Sequence, residues 1–196
     1  MPATRRGEWE HLLRLNARSN APRSGAQGNA TPVGLRSTAA DIGTQSIAPR
    51  EQRIKLEDYL DRSLGACLLR DSRVARLVEA AMLHHHGTRY RMLAWIIMPN
   101  HVHALVGIGE FPLGRIIQNW KSIAAIEANK LLKRVGRFWQ PDYWDRYMRD
   151  DDQVRKAIRY IENNPVKAKL CRAPEEWPFS SARFRDPLTR DLILPR

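Results

Sequence analysis

Cysteine is almost absent from this chain. Two residues in 196, Cys67 and Cys171, form neither a disulfide framework nor a metal knuckle, and they read as reduced intracellular thiols. Long apolar runs are missing as well, with none near the ~18 residues that a membrane span needs. The start, Met1-Pro2-Ala3-Thr4-Arg5-Arg6-Gly7, is basic but has no apolar stretch behind it, unlike a secretory signal. These absences predict a cytoplasmic protein with no membrane partner. Acidic residues are also scarce: 21 Asp+Glu stand against 33 Lys+Arg, a formal net charge of +12. Such a surplus favours a polyanionic partner, of which nucleic acid is the commonest. The plainer alternative is a protein that is basic without any such partner.

The chain divides near residue 50. Residues 16–50 are rich in Ala, Gly, Ser, Thr, Asn and Pro, and they show neither period 2 nor period 3.6. A segment of that kind buries too little apolar surface to offset its ordering entropy. Residues 1–50 therefore read as a disordered basic arm, with seven Arg against three acidic residues and room for a short helix over residues 9–15. Residues 51–185 read as the folded domain and residues 186–196 as a tail.

Within the domain, Leu56, Tyr59, Leu60, Leu64 and Leu68 suggest a helical segment interrupted at Gly65. Asp71 or Ser72 begins a second helix, which ends near His84-His85-His86-Gly87. That histidine run reads as favourable positive charge at the helix C-terminus. Residues 90–98 and 101–108 form a hairpin across Pro99-Asn100. Pro112 opens a long amphipathic helix through Leu113, Ile116, Ile117, Trp120 and Ala124, and Gly136 ends it. Residues 137–144 are a short strand or loop. An Asp from 150–152 caps a last helix, which Asn164-Pro165 stops or kinks. The order helix, strand, strand, helix, short strand, helix is most of an α+β, ferredoxin-like β-α-β-β-α-β sandwich. What it lacks is a first strand before Asp71.

Two features carry chemistry. His101 and His103 alternate with Val102 in a strand, so both point to one face while Val102, Ala104, Val106 and Ile108 point to the other. On its own, a His-x-His pair is more often two hydrogen-bonded histidines than a metal site. Tyr160 and Asn164 lie four apart on the last helix, neighbours off its apolar stripe. On its own, Tyr160 would be an amphipathic residue at the core edge. Together the two features make one site. A phenol of pKa about 10 attacks a phosphodiester usefully only if the phosphate is polarised and the phenolate stabilised. A divalent cation held by two imidazoles and an amide oxygen does both. The His/His/Asn set suits Mg²⁺ or Mn²⁺ rather than structural zinc.

Met98-Pro99-Asn100-His101-Val102-His103-Ala104-Leu105-Val106 resembles the metal-binding segment of the HUH single-tyrosine transposases. Tyr160-Ile161-Glu162-Asn163-Asn164-Pro165-Val166-Lys167-Ala168 resembles the tyrosine segment of their REP-associated branch. Trp120-Lys121-Ser122, Trp144-Asp145-Arg146-Tyr147-Met148-Arg149-Asp150 and Trp177-Pro178-Phe179-Ser180-Ser181 fit that branch, as do Leu64-Gly65-Ala66-Cys67-Leu68-Leu69-Arg70-Asp71 and Arg89-Tyr90. The resemblance spans about residues 56–185. It implies a ferredoxin-like enzyme that cleaves and rejoins single-stranded DNA through a 5′-phosphotyrosine at palindromic repeat hairpins. It assigns His101, His103 and Asn164 to the metal and Tyr160 to the nucleophile. It also implies a chromosomal, nucleoid-associated protein, monomeric or homodimeric. Family members usually begin with a strand of aromatic and β-branched residues, and residues 1–50 show nothing similar. The expectation is that this strand is missing or divergent, which would expose a sheet edge and weaken the metal platform.

Single strands bind in basic grooves lined by stacking aromatics. Trp139, Tyr143, Trp144 and Tyr147, interleaved with Arg137, Arg146 and Arg149, suit such a groove, although at least half of these aromatics are expected to pack under the last helix. Lys121, Arg146 and Arg149 are the candidate DNA contacts. The competing reading is a DNA-binding protein derived from such a transposase, inactive or domesticated. An RNA-binding ferredoxin-like module ranks below both, because the histidines already occupy the sheet face it would need.

Overall fold

A computed structural model describes residues 9–17 and 67–194. Strand β1 (Trp9–Asn16) is followed by a 3-10 turn (Leu68–Arg70) and helix α1 (Ser72–Leu83). Strands β2 (Tyr90–Ile97) and β3 (His101–Ile108), helix α2 (Leu113–Leu131), strand β4 (Trp144–Tyr147) and helix α3 (Asp151–Lys167) complete the order. The sheet runs β2-β3-β1-β4, with all three neighbouring pairs antiparallel. This is the ferredoxin-like sandwich expected from the sequence, with α3 added on the opposite face from α1 and α2.

The first strand is present, which corrects the sequence reading. Residues 9–16 form a strand, not a helix, and β1 pairs with β3 along its whole length, from Trp9 opposite Ile108 to Asn16 opposite His101. The apolar spacing of residues 9–15 misleads because β1 is central and buried on both faces. Leu13, Leu15 and Ala17 pack under α1 and α2, while Leu12 and Arg14 face α3. No clean alternation survives, and a short run of this kind fits a helix as well as a strand. The rest of residues 1–50, and the helical segment read over residues 56–67 apart from Cys67, lie outside the described residues. Leu68 belongs to the 3-10 turn. Residues 186–194 fold back on the domain, with Ile193 N–H donating to the Phe184 carbonyl.

The elements form where the local chemistry asks for them. Asp71 caps α1 by accepting from Arg73 N–H at 2.9 Å, and Asp150 caps α3 by accepting from Gln153 N–H at 2.8 Å. Gly87, at φ 79°, makes the turn into β2, a backbone state that other residues resist. Pro165 does not stop α3; it sits in the last turn and the helix runs on to Lys167. A β-bulge between Met92 and Ala94 shifts the parity of β2, so that Met92 and Trp95 both face α1 and α2. Val74, Val78, Met82, Ile116, Ile117 and Trp120 fill that layer. On the other side a smaller cluster of Ala94, Ile96, Met98 and Leu105 receives Ala157 and Ile161 of α3. Each such buried aliphatic contributes about 1.5–3 kcal/mol.

Candidate active site

His101 and His103 lie on the α3 face of β3, 0% and 3% exposed. The turn before the strand fixes the first ring: His101 Nδ1 stands 2.7 Å from Asn100 Oδ1. An amide oxygen only accepts, so Nδ1 carries the proton and Nε2 keeps its lone pair. That Nε2 lies 3.1 Å from His103 Nε2. Burial pushes His101 down to about 3, with Arg14 adding to the effect. Burial also holds His103 well below the usual imidazole range, helped by the adjoining His101 ring and by the charges of Arg14 and Lys167. Both rings are therefore neutral at pH 7, the form that ligates metals.

The α3 helix brings the second half of the site. Tyr160 is half-buried, and its ring meets His103 edge-on at 5.4 Å between centroids and 74° between planes. Asn164, one turn further, is 1% exposed. Neither its Oδ1 nor its Nδ2 has a hydrogen-bond partner among the described residues. The sequence put this amide off the apolar stripe of α3, yet it is buried. A buried amide with nothing to bond costs about 1–3 kcal/mol unless a ligand takes it. The donors fit a divalent cation: two neighbouring ligands at about 2.1 Å from one ion are themselves about 3 Å apart, close to the spacing of the two Nε2 atoms.

A hydrogen-bonded latch holds α3 in place. Glu162, two residues past Tyr160 and 3% exposed, accepts from Ser181 Oγ at 2.6 Å and from Arg185 Nε at 2.8 Å. Arg185 also donates to the Leu93 carbonyl at 2.5 Å, and Ser181 Oγ accepts from Trp95 N–H. The Trp177-Pro178-Phe179-Ser180-Ser181 segment thus runs along the edge strand β2, where Ile97 N–H donates to the Phe179 carbonyl and Trp177 Nε1 to the Ile97 carbonyl. It ties the tyrosine helix to the histidine-bearing sheet.

The candidate DNA contacts divide. Arg146 and Arg149 are exposed, at and just beyond β4. Lys121 is not available to a phosphate: its ammonium donates to the carbonyls of Gln140, Pro141 and Asp142 at 2.8, 3.0 and 3.1 Å. It closes the loop before β4. Trp139 is likewise a packing residue, 6% exposed, with its indole N–H on the Lys121 carbonyl. His86 is not a helix-end charge, because burial lowers its pKa and its Nδ1 accepts from Met92 N–H.

Two further residues belong to the site. Arg14 sits on β1 directly opposite His103, 5% exposed. Arg14 could not be placed at the site while residues 9–15 read as a short helix. Lys167, in the last turn of α3, is close enough to act on His103.

The chain is similar to several known proteins. The family described as "Transposase IS200 like" matches residues 70–164, which include both histidines, Tyr160 and Asn164. A REP-associated tyrosine transposase of Escherichia coli K12 is 28% identical over 93 residues, covering 47% of this chain and 54% of that protein. A protein of Haemophilus influenzae described in the same terms is 27% identical over 103 residues, covering 47% and 58%. The chain thus spans a little over half the length of these curated relatives. The solved structure of a REP-associated tyrosine transposase bound to a REP hairpin superposes with a TM-score of 0.51 at 17% identity, over 93% of this chain and 84% of that one. This likeness supports the fold. Residues 70–164 thus resemble the transposase IS200-like family, and the chain is similar to the REP-associated tyrosine transposases.

Proposed function

We infer that this protein is a single-stranded DNA endonuclease and strand transferase acting on palindromic hairpins, with Tyr160 as nucleophile. The observation that carries the reading is the meeting, within one chain, of the Tyr160 ring with a buried pair of neutral imidazoles. His101, His103 and Asn164 would hold Mg²⁺ or Mn²⁺, which when bound polarises the scissile phosphate and neutralises developing charge. Tyr160 Oη attacks the phosphorus; an O–P bond forms, the P–O3′ bond breaks, and the 3′ oxygen leaves as a hydroxyl after taking a proton. The DNA 5′ end is left on the tyrosine, which keeps the bond energy for rejoining. Asn100 keeps His101 in the tautomer whose Nε2 carries the lone pair that a metal would take. Glu162, through Ser181 and Arg185, keeps α3 and its tyrosine over the sheet.

The hairpin in the solved relative's crystal motivates the choice of substrate. Arg146, Arg149 and the half-buried Trp144 offer phosphate contacts and a stacking surface beside the site. The alternative of a DNA-binding derivative inactivated by a lost first strand loses its ground, because β1 is present; a domesticated derivative would give no adduct in the test below. The test incubates the full chain with single-stranded hairpin oligonucleotides and Mg²⁺ or Mn²⁺ and seeks a denaturation-resistant adduct. The adduct should vanish with a chelator or with Tyr160→Phe; its persistence in Tyr160→Phe would remove Tyr160 from the mechanism.

A further inference from the structure

Of the aromatic residues interleaved with arginines between Trp139 and Tyr147, three serve the fold. Trp139 is buried with its indole N–H bonded, Tyr143 packs against the larger apolar cluster, and Tyr147 meets the His11 ring on the α1/α2 side of the sheet. Trp144 is the exception. Elsewhere, Trp95, Trp120, Trp139 and Trp177 all pack with an apolar cluster and donate their indole N–H to a protein acceptor. Trp144 joins neither cluster, and among the described residues none accepts its indole N–H. A half-buried tryptophan without those ties leaves a large π-face for a ligand.

Strand register ties this indole to the cleavage site. Position 14 of β1 pairs with His103 of β3 on one side and with Trp144 of β4 on the other, so all three share one row and one face. Tyr160 meets His103 on that same face. Two strand spacings, about 10 Å, separate Trp144 from His103. At a rise of about 3.4 Å per nucleotide that is about three nucleotides, and fewer for an extended strand. Helix α3 packs mainly on β2 and β3, and β4 is the strand furthest from them. Arg146, two residues along β4, is exposed and on the same face as Trp144. An indole and a guanidinium alternating along an edge strand suit one base and a neighbouring phosphate. We propose that Trp144 stacks one unpaired base of the hairpin's single-stranded flank, and so seats the scissile phosphodiester over Tyr160. This rests on the hairpin-DNA reading above and adds the residue that positions the strand. Basic contacts attract the backbone without fixing its path, whereas a stacked base pins it at one point. Such a platform tolerates any base, because every base has a π-face, but it does not tolerate the loss of the base.

The experiment uses the full chain carrying Tyr160→Phe, which leaves the strand uncut, and a fluorescent hairpin oligonucleotide with single-stranded flanks. Affinity is read by anisotropy for the intact oligonucleotide and for a series in which an abasic site replaces each flank nucleotide in turn. Adding Trp144→Ala should weaken binding of the intact oligonucleotide by about 5- to 150-fold, the worth of one stacked base. At one flank position the abasic site should weaken the Tyr160→Phe protein by a similar factor and leave the Trp144→Ala double variant within about 2-fold. Exchanging the base at that position for another should change affinity far less than removing it. Trp144→Phe keeps a π-face and should keep most of the affinity. If Trp144→Ala fails to fold by circular dichroism, Trp144→Leu, which keeps bulk without a π-face, takes its place. Loss of less than about 2-fold in that variant overturns the proposal, and so does an abasic series that falls in parallel in both proteins, as a merely structural tryptophan would give. A coupled position more than about three nucleotides from the cut made by the unmodified chain also overturns it. Adduct formation by the unmodified chain judges the hairpin reading separately: the strand can be cut with no base coupled to Trp144, and a base can couple on a strand that is never cut.

Discussion

Removing the Glu162 carboxylate should loosen the tyrosine helix from the sheet. Its side chain is 4% exposed, and the Arg185 side chain that it pairs with is 6% exposed. In Glu162→Ala the buried guanidinium keeps the Leu93 carbonyl but loses its counter-charge, and Ser181 Oγ loses its acceptor. Breaking a buried pair from one side costs about 3–5 kcal/mol. Glu162→Gln keeps the shape and one acceptor oxygen, and should cost about 1.5–3 kcal/mol, the worth of a charged hydrogen bond. With an m-value of about 2 kcal/mol/M in urea, the alanine variant should unfold at a midpoint about 1.5–2.5 M lower. The assay is urea unfolding followed by circular dichroism, with m required to stay constant. Because the partners touch, the double variant Glu162→Leu/Arg185→Met should recover most of the loss. An alanine variant that loses less than about 1 kcal/mol would refute the latch, since an exposed pair behaves that way.

Three further outcomes follow from the same contacts. His101 and His103 bind fewer protons when folded than the ordinary imidazole value of 6.5 allows when unfolded. Their contribution to stability is therefore complete above about pH 6.5 and falls as pH drops, by up to about 1.4 kcal/mol per pH unit from each ring; denaturation at pH 7, 6 and 5 should show this slope, and His103→Asn should reduce it. Lys121→Ala should cost about 1.5–3 kcal/mol, because three carbonyls lose a charged donor, while affinity for single-stranded DNA stays within about 2-fold. Arg146→Ala and Arg149→Ala should do the reverse, leaving the thermal midpoint in place and each lowering the salt dependence of DNA binding by roughly one phosphate contact.

Much of this fold is written in local signals. Asp71 and Asp150 read as caps from their positions before apolar periodicity, and both cap. The His101-Val102-His103 alternation fixed which side of β3 faces the core. β1 escaped notice because it is buried on both faces and carries Arg14, a residue that ordinarily marks solvent, on its site-facing side. Only pairing with β3, far along the chain, reveals it as a strand. Lys121 looked like a phosphate ligand because sequence shows a charge but not the carbonyls folded around it. Asn164 was legible as a candidate ligand from its place one turn past Tyr160, while its burial and its unpartnered amide are properties of the packed helix.

The most direct measurement of the central claim is mass spectrometry of the protein after reaction with a single-stranded hairpin oligonucleotide and Mg²⁺ or Mn²⁺, followed by nuclease and protease digestion. The account predicts one nucleotide-bearing peptide, with the phosphate on Tyr160 and none formed by the His101→Ala protein. A modification on any other residue, or an adduct that forms as well without His101, would contradict it.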